Sequence, residues 1–260
     1  MQIITLISDW GLKDHYVASV KGVILKNLKD KVTIIDITHQ VPCFDVEKAS
    51  YILRNCWNDF PEGTIHIIDV NSVASIKTPH VAVFYEGHIF IGADNGIFDL
   101  LFDEKPDKIL EIDVHQDSDY FTFPTKDLFV KVAVMLVEGL PDNKIGTPIA
   151  DFNTKKSYFE PTDDRNVISG IIMYVDNYSN AITNISKEHF KRIGKNRKYI
   201  ISFGSFIVDK IYESYDDVGE SDIVVLFNIS GYLEIAQNRG RASQLLGVKY
   251  KDKVKIEFFD

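Results

Sequence analysis

Cysteine is scarce in this 260-residue sequence, which contains only Cys43 and Cys56. Two isolated cysteines exclude a disulfide framework and a CxxC redox or metal site. Long apolar runs are also missing, and none approaches the roughly 18–20 residues that a membrane-spanning helix needs. The opening segment, MQIITLISDW, has neither a basic region nor a small-residue cleavage site, so it predicts a strand rather than a signal peptide. We therefore expect a cytoplasmic protein.

Basic residues are fewer than acidic ones: the sequence has 29 Lys and Arg residues and 38 Asp and Glu residues, which give a formal net charge of −9. Binding to a nucleic-acid backbone depends on clustered Lys and Arg, so this balance argues against a nucleic-acid partner. The same charge is compatible with a small cationic ligand. It is equally compatible with no role beyond solubility.

Several motifs of familiar enzyme classes are absent. The sequence has no GxGxxG, no GxxxxGK(S/T), no HExxH and no GxSxG, which argues against the dinucleotide, P-loop, zinc-peptidase and serine-hydrolase classes that use them. The seven histidines are scattered without metal-ligand spacing. We therefore expect no metal and no cofactor.

The first half of the chain alternates strand and helix patterns. Short apolar runs predict strands at IITLIS (3–8), VTIIDI (32–37), TIHIIDV (64–70), HVAVFY (80–85) and HIFIGA (88–93). Helical patterns are found at about 14–28, 45–57 and 126–138. Asp45 is the expected N-cap of the second helix, and Glu86-Gly87 predicts a hairpin turn. This alternation is typical of an α/β domain with a mixed, mostly parallel sheet flanked by helices.

The second half has a different pattern. Residues 151–165 are rich in Pro, Asn, Asp and Lys and predict a linker between two domains. Beyond it, short strand patterns separated by turn residues predict a small β-barrel. We expect an α/β domain over 1–150, the linker over 151–165 and a C-terminal β-barrel domain over 166–260.

Carboxylates stand at the ends of two predicted strands, where open α/β sheets bind their ligands. Asp9 follows the first strand and is suited to accept hydrogen bonds from a ribose diol, or else it is a helix N-cap or a loop carboxylate. Asp69 ends another strand and, if buried, is suited to orient a water molecule as a general base, or else it is a solvated surface group. His15, beside Asp14 at the start of the first helix, is the histidine that we place near a ligand.

Two polar segments stand out in the second half. The segment VDNYSNAITNI (175–185) carries Asp176 and Asn180, and amide side chains can read the donor and acceptor edge of adenine. The segment 228–247 combines a turn, a strand and a polar loop whose backbone groups can bind a base. Ordinary polar loops are the simpler explanation of both segments. Asp94-Asn95-Gly96 is a turn signal first and a ligand or partner contact second.

Five segments occur in one order along the chain: ITLISDWGLKDHYVASVKGVI, DITHQVPCFDVEKASYIL, GADNGIF, YVDNYSNAITNI and GYLEIAQNRGRA. Together they resemble the S-adenosylmethionine hydrolases (adenosyl-forming, or hydroxide adenosyltransferases), relatives of fluorinase and chlorinase. The resemblance spans about residues 2–258. It implies an N-terminal α/β domain, a C-terminal β-barrel and a homotrimer with sites at subunit interfaces. It also implies that water attacks ribose C5′ of S-adenosylmethionine and yields adenosine and methionine.

The resemblance implies ligand-binding roles in the first half by position. Asp9 would hold the ribose hydroxyls. Asp14, His15 and Tyr16 would line the ribose and methionine end. Phe44 would pack on the ligand.

In the second half, the resemblance implies that Asp176 binds the methionine amine and Asn180 the adenine edge. Ile229 and Ser230 match the methionine-carboxylate position. Tyr16 and Ile229 stand where the halogenases have serines. The backbone that reads adenine would belong to Gln237, Asn238 and Arg239.

The family activates water with an Asp, an Arg and a His, and Asp69 matches the Asp. The family segment DPGVG reads DVNSV at 69–73, which makes Asn71 a further ligand-binding candidate. The family segment TFHGRD reads TFPTKD at 122–127, so Pro124 replaces the His. No Arg falls in register.

Lys77 and His80 are the nearest candidates to replace the missing cation. Three interpretations stay open. The protein hydrolyses S-adenosylmethionine with Lys77 or His80 as the substitute, or it uses another nucleophile such as a halide, or it binds S-adenosylmethionine or adenosine without turnover.

Overall fold

The computed structural model describes residues 2–28, 32–116, 118–119, 121–153 and 160–259. The chain forms two compact units, Met1–Lys155 and Lys156–Asp260. Residues 154–159 of the predicted linker lie outside the described residues. Within the described ranges, no helix has the length and apolar composition needed to cross a bilayer.

The first unit contains a seven-stranded mixed sheet. Its strands are β1 (Gln2–Ser8), β2 (Val32–Thr38), β3 (Ile65–Asp69), β4 (His80–Tyr85), β5 (His88–Ala93), β6 (Lys108–Ile112) and β7 (Gly146–Ile149). They lie in the order β2-β1-β3-β5-β4-β6-β7. β1 is parallel to β2 and β3, and β3 is parallel to β5, whereas β4, β6 and β7 add antiparallel pairs. The predicted mixed sheet is confirmed, and its antiparallel edge extends over three strands.

Among the described residues of this unit, four helices flank the sheet, namely α1 (Tyr16–Leu28), α2 (Val46–Arg54), α3 (Ile97–Leu101) and α4 (Val130–Val137). α1 and α4 share one apolar core with Ile4 and Leu6 of β1, whereas α2 packs against α3. Asp45 caps α2 as predicted, because its side chain accepts the N–H of Lys48 at 3.0 Å. A π-helical turn, Thr125–Phe129, leads into α4.

The strand order creates a topological switch point between β1 and β3. The chain leaves β1 towards β2 on one side and leaves β3 towards β4 and β5 on the other. Ser8 and Asp69, the last residues of β1 and β3, are paired in register. Open α/β sheets bind ligands outside the carboxyl ends of their strands at such a point. The fold therefore brings Asp9 and Asp69 to one crevice.

The second unit is a nearly closed antiparallel barrel. Its strands are β8 (Thr162–Asp164), β9 (Val167–Val175), β10 (Ala181–Ser186), β11 (Lys198–Phe203), β12 (Phe206–Val208), β13 (Ile223–Phe227), β14 (Tyr232–Gln237) and β15 (Lys253–Phe259). They follow the order β12-β11-β15-β9-β10-β14-β13, and β8 pairs with β9. Short helices α5 (Lys187–Gly194) and α6 (Ala242–Leu246) connect them. Ile168, Phe203, Ile235 and Ile256 belong to the apolar interior. The predicted β-barrel is confirmed.

Two histidines are buried on neighbouring strands of the first unit. His66 and His88 are 0 % and 4 % exposed, and Nε2 of His66 lies 3.1 Å from Nδ1 of His88. His66 Nδ1 is also 2.7 Å from the hydroxyl of Thr5, and its ring stacks on Phe90. Burial, followed by the charge of His88, lowers the pKa of His66 to about 3. The native state therefore keeps His66 neutral.

We predict that neutral His66 makes the first unit acid-sensitive. In the unfolded chain, His66 takes up a proton near pH 6.5, whereas in the native state it does so only near pH 3. The stability that neutral His66 contributes is therefore complete above pH 6.5 and is lost as the pH falls. Between pH 7 and pH 5 the free energy of unfolding should fall by roughly 2 kcal/mol more in the parent than in His66→Gln. Urea unfolding at both pH values measures the difference.

The matched control is His115→Gln, which changes an exposed histidine and should keep the parent's dependence on pH. If His66→Gln loses as much stability as the parent over this interval, His66 is not the source of the acid sensitivity.

Candidate active site

Asp69 is the buried carboxylate of the crevice, with only 4 % of its surface exposed. The Ser72 hydroxyl donates a hydrogen bond to its Oδ1, and the Thr125 hydroxyl donates one to its Oδ2. The side chain of Trp10 also favours the charged form of this carboxyl. These donors satisfy a charge that burial would otherwise leave unpaired.

Burial has the largest effect on the Asp69 carboxyl and raises its pKa to about 6, and the negative charge of Asp9 acts in the same direction. The hydrogen bonds from Ser72 and Thr125, together with the side chain of Trp10, favour the charged form, but they do not cancel this rise. Across the described ranges, no Lys, Arg or His forms an ion pair with Asp69. A carboxyl of this pKa is mostly ionised at pH 7 and remains basic enough to accept a proton.

Asp9 follows β1 and holds the loop that contains Phe44. Its Oδ2 accepts the N–H of Phe44 at 2.8 Å. Phe44 has a left-handed backbone, with φ of 64°, and a side chain that is 72 % exposed. α1 begins at Tyr16, so Asp9 is a loop carboxylate and not its N-cap. Asp14 and His15 are exposed in the segment before α1.

Aromatic rings line the same end of β1. Trp10 stacks on His39 with centroids 5.6 Å apart and meets Phe123 edge-on at 5.1 Å. Tyr16 contacts Phe123 at 5.2 Å and His15 at 4.6 Å. The structure thus brings the predicted residues His15 and Tyr16 next to the crevice, through rings that the sequence did not single out.

The loop after β3 is held from two sides. Asn95 donates from Nδ2 to the carbonyls of Val70 at 2.9 Å and Asn71 at 3.0 Å. His80 Nε2 lies 2.8 Å from the carbonyl oxygen of Ser72. Asn71 itself is exposed, with φ of 51°. The turn predicted around Asn95 therefore positions the segment that carries Ser72.

Lys77 and His80 have different surroundings. Half-buried His80 packs edge-on against Phe129, and burial lowers its pKa although its backbone hydrogen bond opposes the change. Lys77 is exposed, and its carbonyl accepts a hydrogen bond from Asn153 at 2.7 Å. In the part of the chain that the structure describes, neither side chain is bonded to Asp69. Their role as substitutes for the family's cation stays a prediction.

In the second unit, Asp176 and Asn180 close a tight turn between β9 and β10. Asp176 Oδ1 accepts the N–H of Asn180 at 2.8 Å, and its Oδ2 lies 3.3 Å from Asn180 Nδ2. The N–H of Ser243 donates to the carbonyl of Ser179 at 2.8 Å. This bond joins the turn to the segment that follows β14, so the two predicted adenine-binding segments are adjacent.

Gln237 shapes the loop after β14. Its Oε1 accepts the N–H of Arg241, and its Nε2 donates to the carbonyl of Ser221, each at 2.9 Å. Asn238 is buried, whereas Arg239 is exposed with φ of 54°. The side chains of Gln237 and Asn238 thus support the loop, whose backbone carries the predicted contacts.

Ser230 precedes the start of β14, whereas Gln237 ends it, so the structure does not place these two predicted residues side by side. Between them lies buried Glu234, which accepts the Tyr215 hydroxyl at 2.6 Å and Asn228 Nδ2 at 3.1 Å. A ligand that contacts both ends would have to run along β14.

Ser72 and Thr125 are site residues that the sequence did not predict. Ser72 could have been predicted from the local sequence, because a serine three residues after an aspartate can reach back to its carboxylate. Thr125 could not have been predicted in this way, because 56 residues separate it from Asp69 and only the folded chain brings the two side chains together.

Comparisons with known proteins cover both units. Residues 4–146 match the family model of the SAM hydroxide adenosyltransferase N-terminal domain, and residues 170–255 match that of the C-terminal domain. A protein named (R)-S-adenosyl-L-methionine hydrolase from Methanocaldococcus jannaschii is 27 % identical over 98 % of this chain and 96 % of its own. A protein named fluorinase from Actinoplanes sp. is 24 % identical over 91 % of each chain.

A crystal structure of an uncharacterized conserved protein from Thermotoga maritima is similar over 97 % of this chain and 99 % of its own, with a TM-score of 0.87 and 30 % sequence identity. The likeness therefore extends to the three-dimensional fold of the α/β sheet and the barrel.

Proposed function

Because this chain belongs to the SAM hydroxide adenosyltransferase family, we propose that it hydrolyses S-adenosyl-L-methionine to adenosine and L-methionine. The observation that carries the proposal is the Asp69 carboxylate, buried beside Asp9 where β1 and β3 end. The relative named (R)-S-adenosyl-L-methionine hydrolase, which aligns with nearly the whole chain, supports the same reaction.

The proposed reaction is a displacement at ribose C5′. The water oxygen forms a bond to C5′ while the C5′–S bond breaks, and the electron pair of that bond passes to sulfur. The sulfonium becomes the neutral thioether of methionine, which is a good leaving group, so the step needs no metal or organic cofactor. Asp69 orients the water and accepts its proton. One sulfonium cation and one water thus yield adenosine, methionine and one proton.

In the first unit, Asp9 is proposed to bind the ribose hydroxyls. Its Oδ2 is bonded to the N–H of Phe44, and a carboxylate has lone pairs left on both oxygens for further donors. Phe44 offers an exposed aromatic face to the ligand. Asp14, His15 and Tyr16 form the ribose and methionine end, with Asn71 from the loop after β3.

In the second unit, the carboxylate of Asp176 is proposed to bind the methionine amine, because it offers the opposite charge. Asn180 would bind the adenine edge, beside the backbone of the loop after β14. Ser230 would bind the methionine carboxylate at the other end of that strand. The backbone contacts to adenine would come from Gln237, Asn238 and Arg239.

We further propose a cytoplasmic homotrimer with its sites at subunit interfaces. In each unit, exposed large apolar side chains lie at or next to the proposed site residues in the sequence, and exposed apolar surface is a feature of interaction sites. They are Phe44, Val73, Ile76, Tyr178 and Ile229.

We predict that the purified protein releases adenosine and methionine from S-adenosylmethionine, and that Asp69→Asn lowers kcat by about 10²–10⁴-fold. Asparagine keeps the size of the side chain but cannot accept the proton. Below about pH 6 the parent should slow as Asp69 becomes protonated. Chromatography of the products over time, against a buffer blank, measures both effects. The control is Asp59→Asn, which changes an exposed carboxylate before the amino end of β3.

The same experiment separates the alternatives. Adenosine that forms no faster than in buffer rules out hydrolysis. Retention of intact S-adenosylmethionine without product would instead indicate a binding protein, as the missing Arg and His allow. A product that depends on added chloride would indicate a halogenase.

We predict that sedimentation of the purified protein gives three times the mass of one chain, because the exposed apolar side chains are covered in a trimer. A monomer at the concentrations used for the activity measurements contradicts the proposed assembly.

A further inference from the structure

Asp69 is surrounded by uncharged side chains from three separate segments. Ser72 belongs to the loop after β3, Thr125 opens the π-helical turn before α4, and Trp10 follows β1. Ser72 donates to Oδ1 and Thr125 to Oδ2, so both oxygens of the carboxylate are fixed. Rotation of the carboxylate about its Cβ–Cγ bond would break both of these bonds.

A count of hydrogen bonds shows what this arrangement leaves open. An ionised carboxylate has about four lone-pair positions on its two oxygens. The hydroxyls of Ser72 and Thr125 occupy two of them, one on each oxygen, which leaves about one position on each oxygen for a water molecule or another donor. A carboxylate that is fixed in orientation and keeps open acceptor positions is suited to align an attacking water.

Thr125 is firmly placed by the backbone around it. It is 0 % exposed and begins the turn Thr125–Phe129, and its carbonyl accepts the N–H of Val130. Pro124 precedes it with φ of −60°, the angle that the proline ring fixes and that a helix start requires. Such π-helical turns are frequent at functional sites. Pro124 thus introduces the turn that positions the Thr125 hydroxyl.

Resting on the hydrolysis proposed above, we propose that Thr125 is a positioning residue whose hydroxyl, opposite that of Ser72, holds the Asp69 carboxylate in line with the attacking water.

The charged groups around Asp69 fit this assignment. Asp9, in the segment after β1, raises the pKa of Asp69 through its negative charge. His80 of β4 is bonded to a backbone carbonyl and not to the carboxylate. In the π-helical turn, Lys126 is exposed and Asp127 accepts a serine hydroxyl. Loss of a hydroxyl donor should therefore raise the pKa of Asp69, because no cation among the described residues compensates for it.

The test compares Thr125→Val, which keeps the shape of the side chain and removes the hydroxyl, with Thr125→Ser, which keeps the hydroxyl. Thr147→Val is the matched control, because the Thr147 hydroxyl also lies near a carboxylate, 3.4 Å from Asp113 Oδ2, on the far edge of the sheet. For each variant, kcat and KM for S-adenosylmethionine are measured from pH 5 to pH 9, and circular dichroism confirms folding.

Thr125→Val should lower kcat by about 10- to 100-fold with KM changed less than about threefold, because alignment is lost and ligand contacts are not. The pH at which its rate becomes half-maximal should rise above the parent's value of about 6. Thr125→Ser should restore most of kcat and the parent's pH profile, and Thr147→Val should match the parent. If Thr125→Val does not fold, Thr125→Ala is measured in its place with the same expected result.

The outcomes separate this inference from the proposed function. If the parent turns over and the hydroxyl-free variant keeps its kcat and its pH profile, the positioning role is wrong and hydrolysis stands. If Thr125→Ser is as slow as Thr125→Val, the hydroxyl of residue 125 does not determine the rate, and the proposed positioning role is also wrong. If the parent releases no adenosine, both proposals are overturned.

Discussion

A carboxylate buried where two parallel strands end is unfavourable for a folded chain unless its oxygens are hydrogen-bonded. In this protein, Ser72 and Thr125 each donate to one oxygen of Asp69, and the side chain of Trp10 also favours the charged form. Burial still raises the pKa of this carboxyl to about 6. The resulting group is ionised at neutral pH, fixed in orientation and able to accept a proton. The proposed chemistry depends on this combination.

The first unit is arranged so that these donors can meet. The switch point between β1 and β3 brings together the residue after one strand and the last residue of the other. Asn95 and His80 hold the loop after β3 through its backbone carbonyls, which fixes Ser72. The π-helical turn supplies Thr125 from the opposite side. In the second unit, Asp176 accepts the N–H of Asn180 in the turn between β9 and β10, and the N–H of Ser243 joins this turn to the segment after β14.

Local patterns were sufficient to predict the fold, because the hydrophobic period and the capping of Asp45 belong to short stretches of chain. They also predicted that Asp9 and Asp69 share a crevice, since both stand at strand ends. Edge strand β7, which contains a proline, was missed because its pairing with β6 depends on the rest of the sheet. Thr125 was missed for the same reason, because its partner lies 56 residues away. Nonlocal contacts of this kind have no sequence pattern of their own.

The most direct test of this structure is the titration of Asp69 itself. Protein labelled with ¹³C at the aspartate carboxyl carbons is titrated by NMR, and the resonance that disappears in Asp69→Asn identifies the residue. The arrangement of burial and neutral donors predicts a pKa of about 6. A pKa at or below the ordinary value of about 3.9 would contradict it, because it would mean that Asp69 is solvated or paired with a cation.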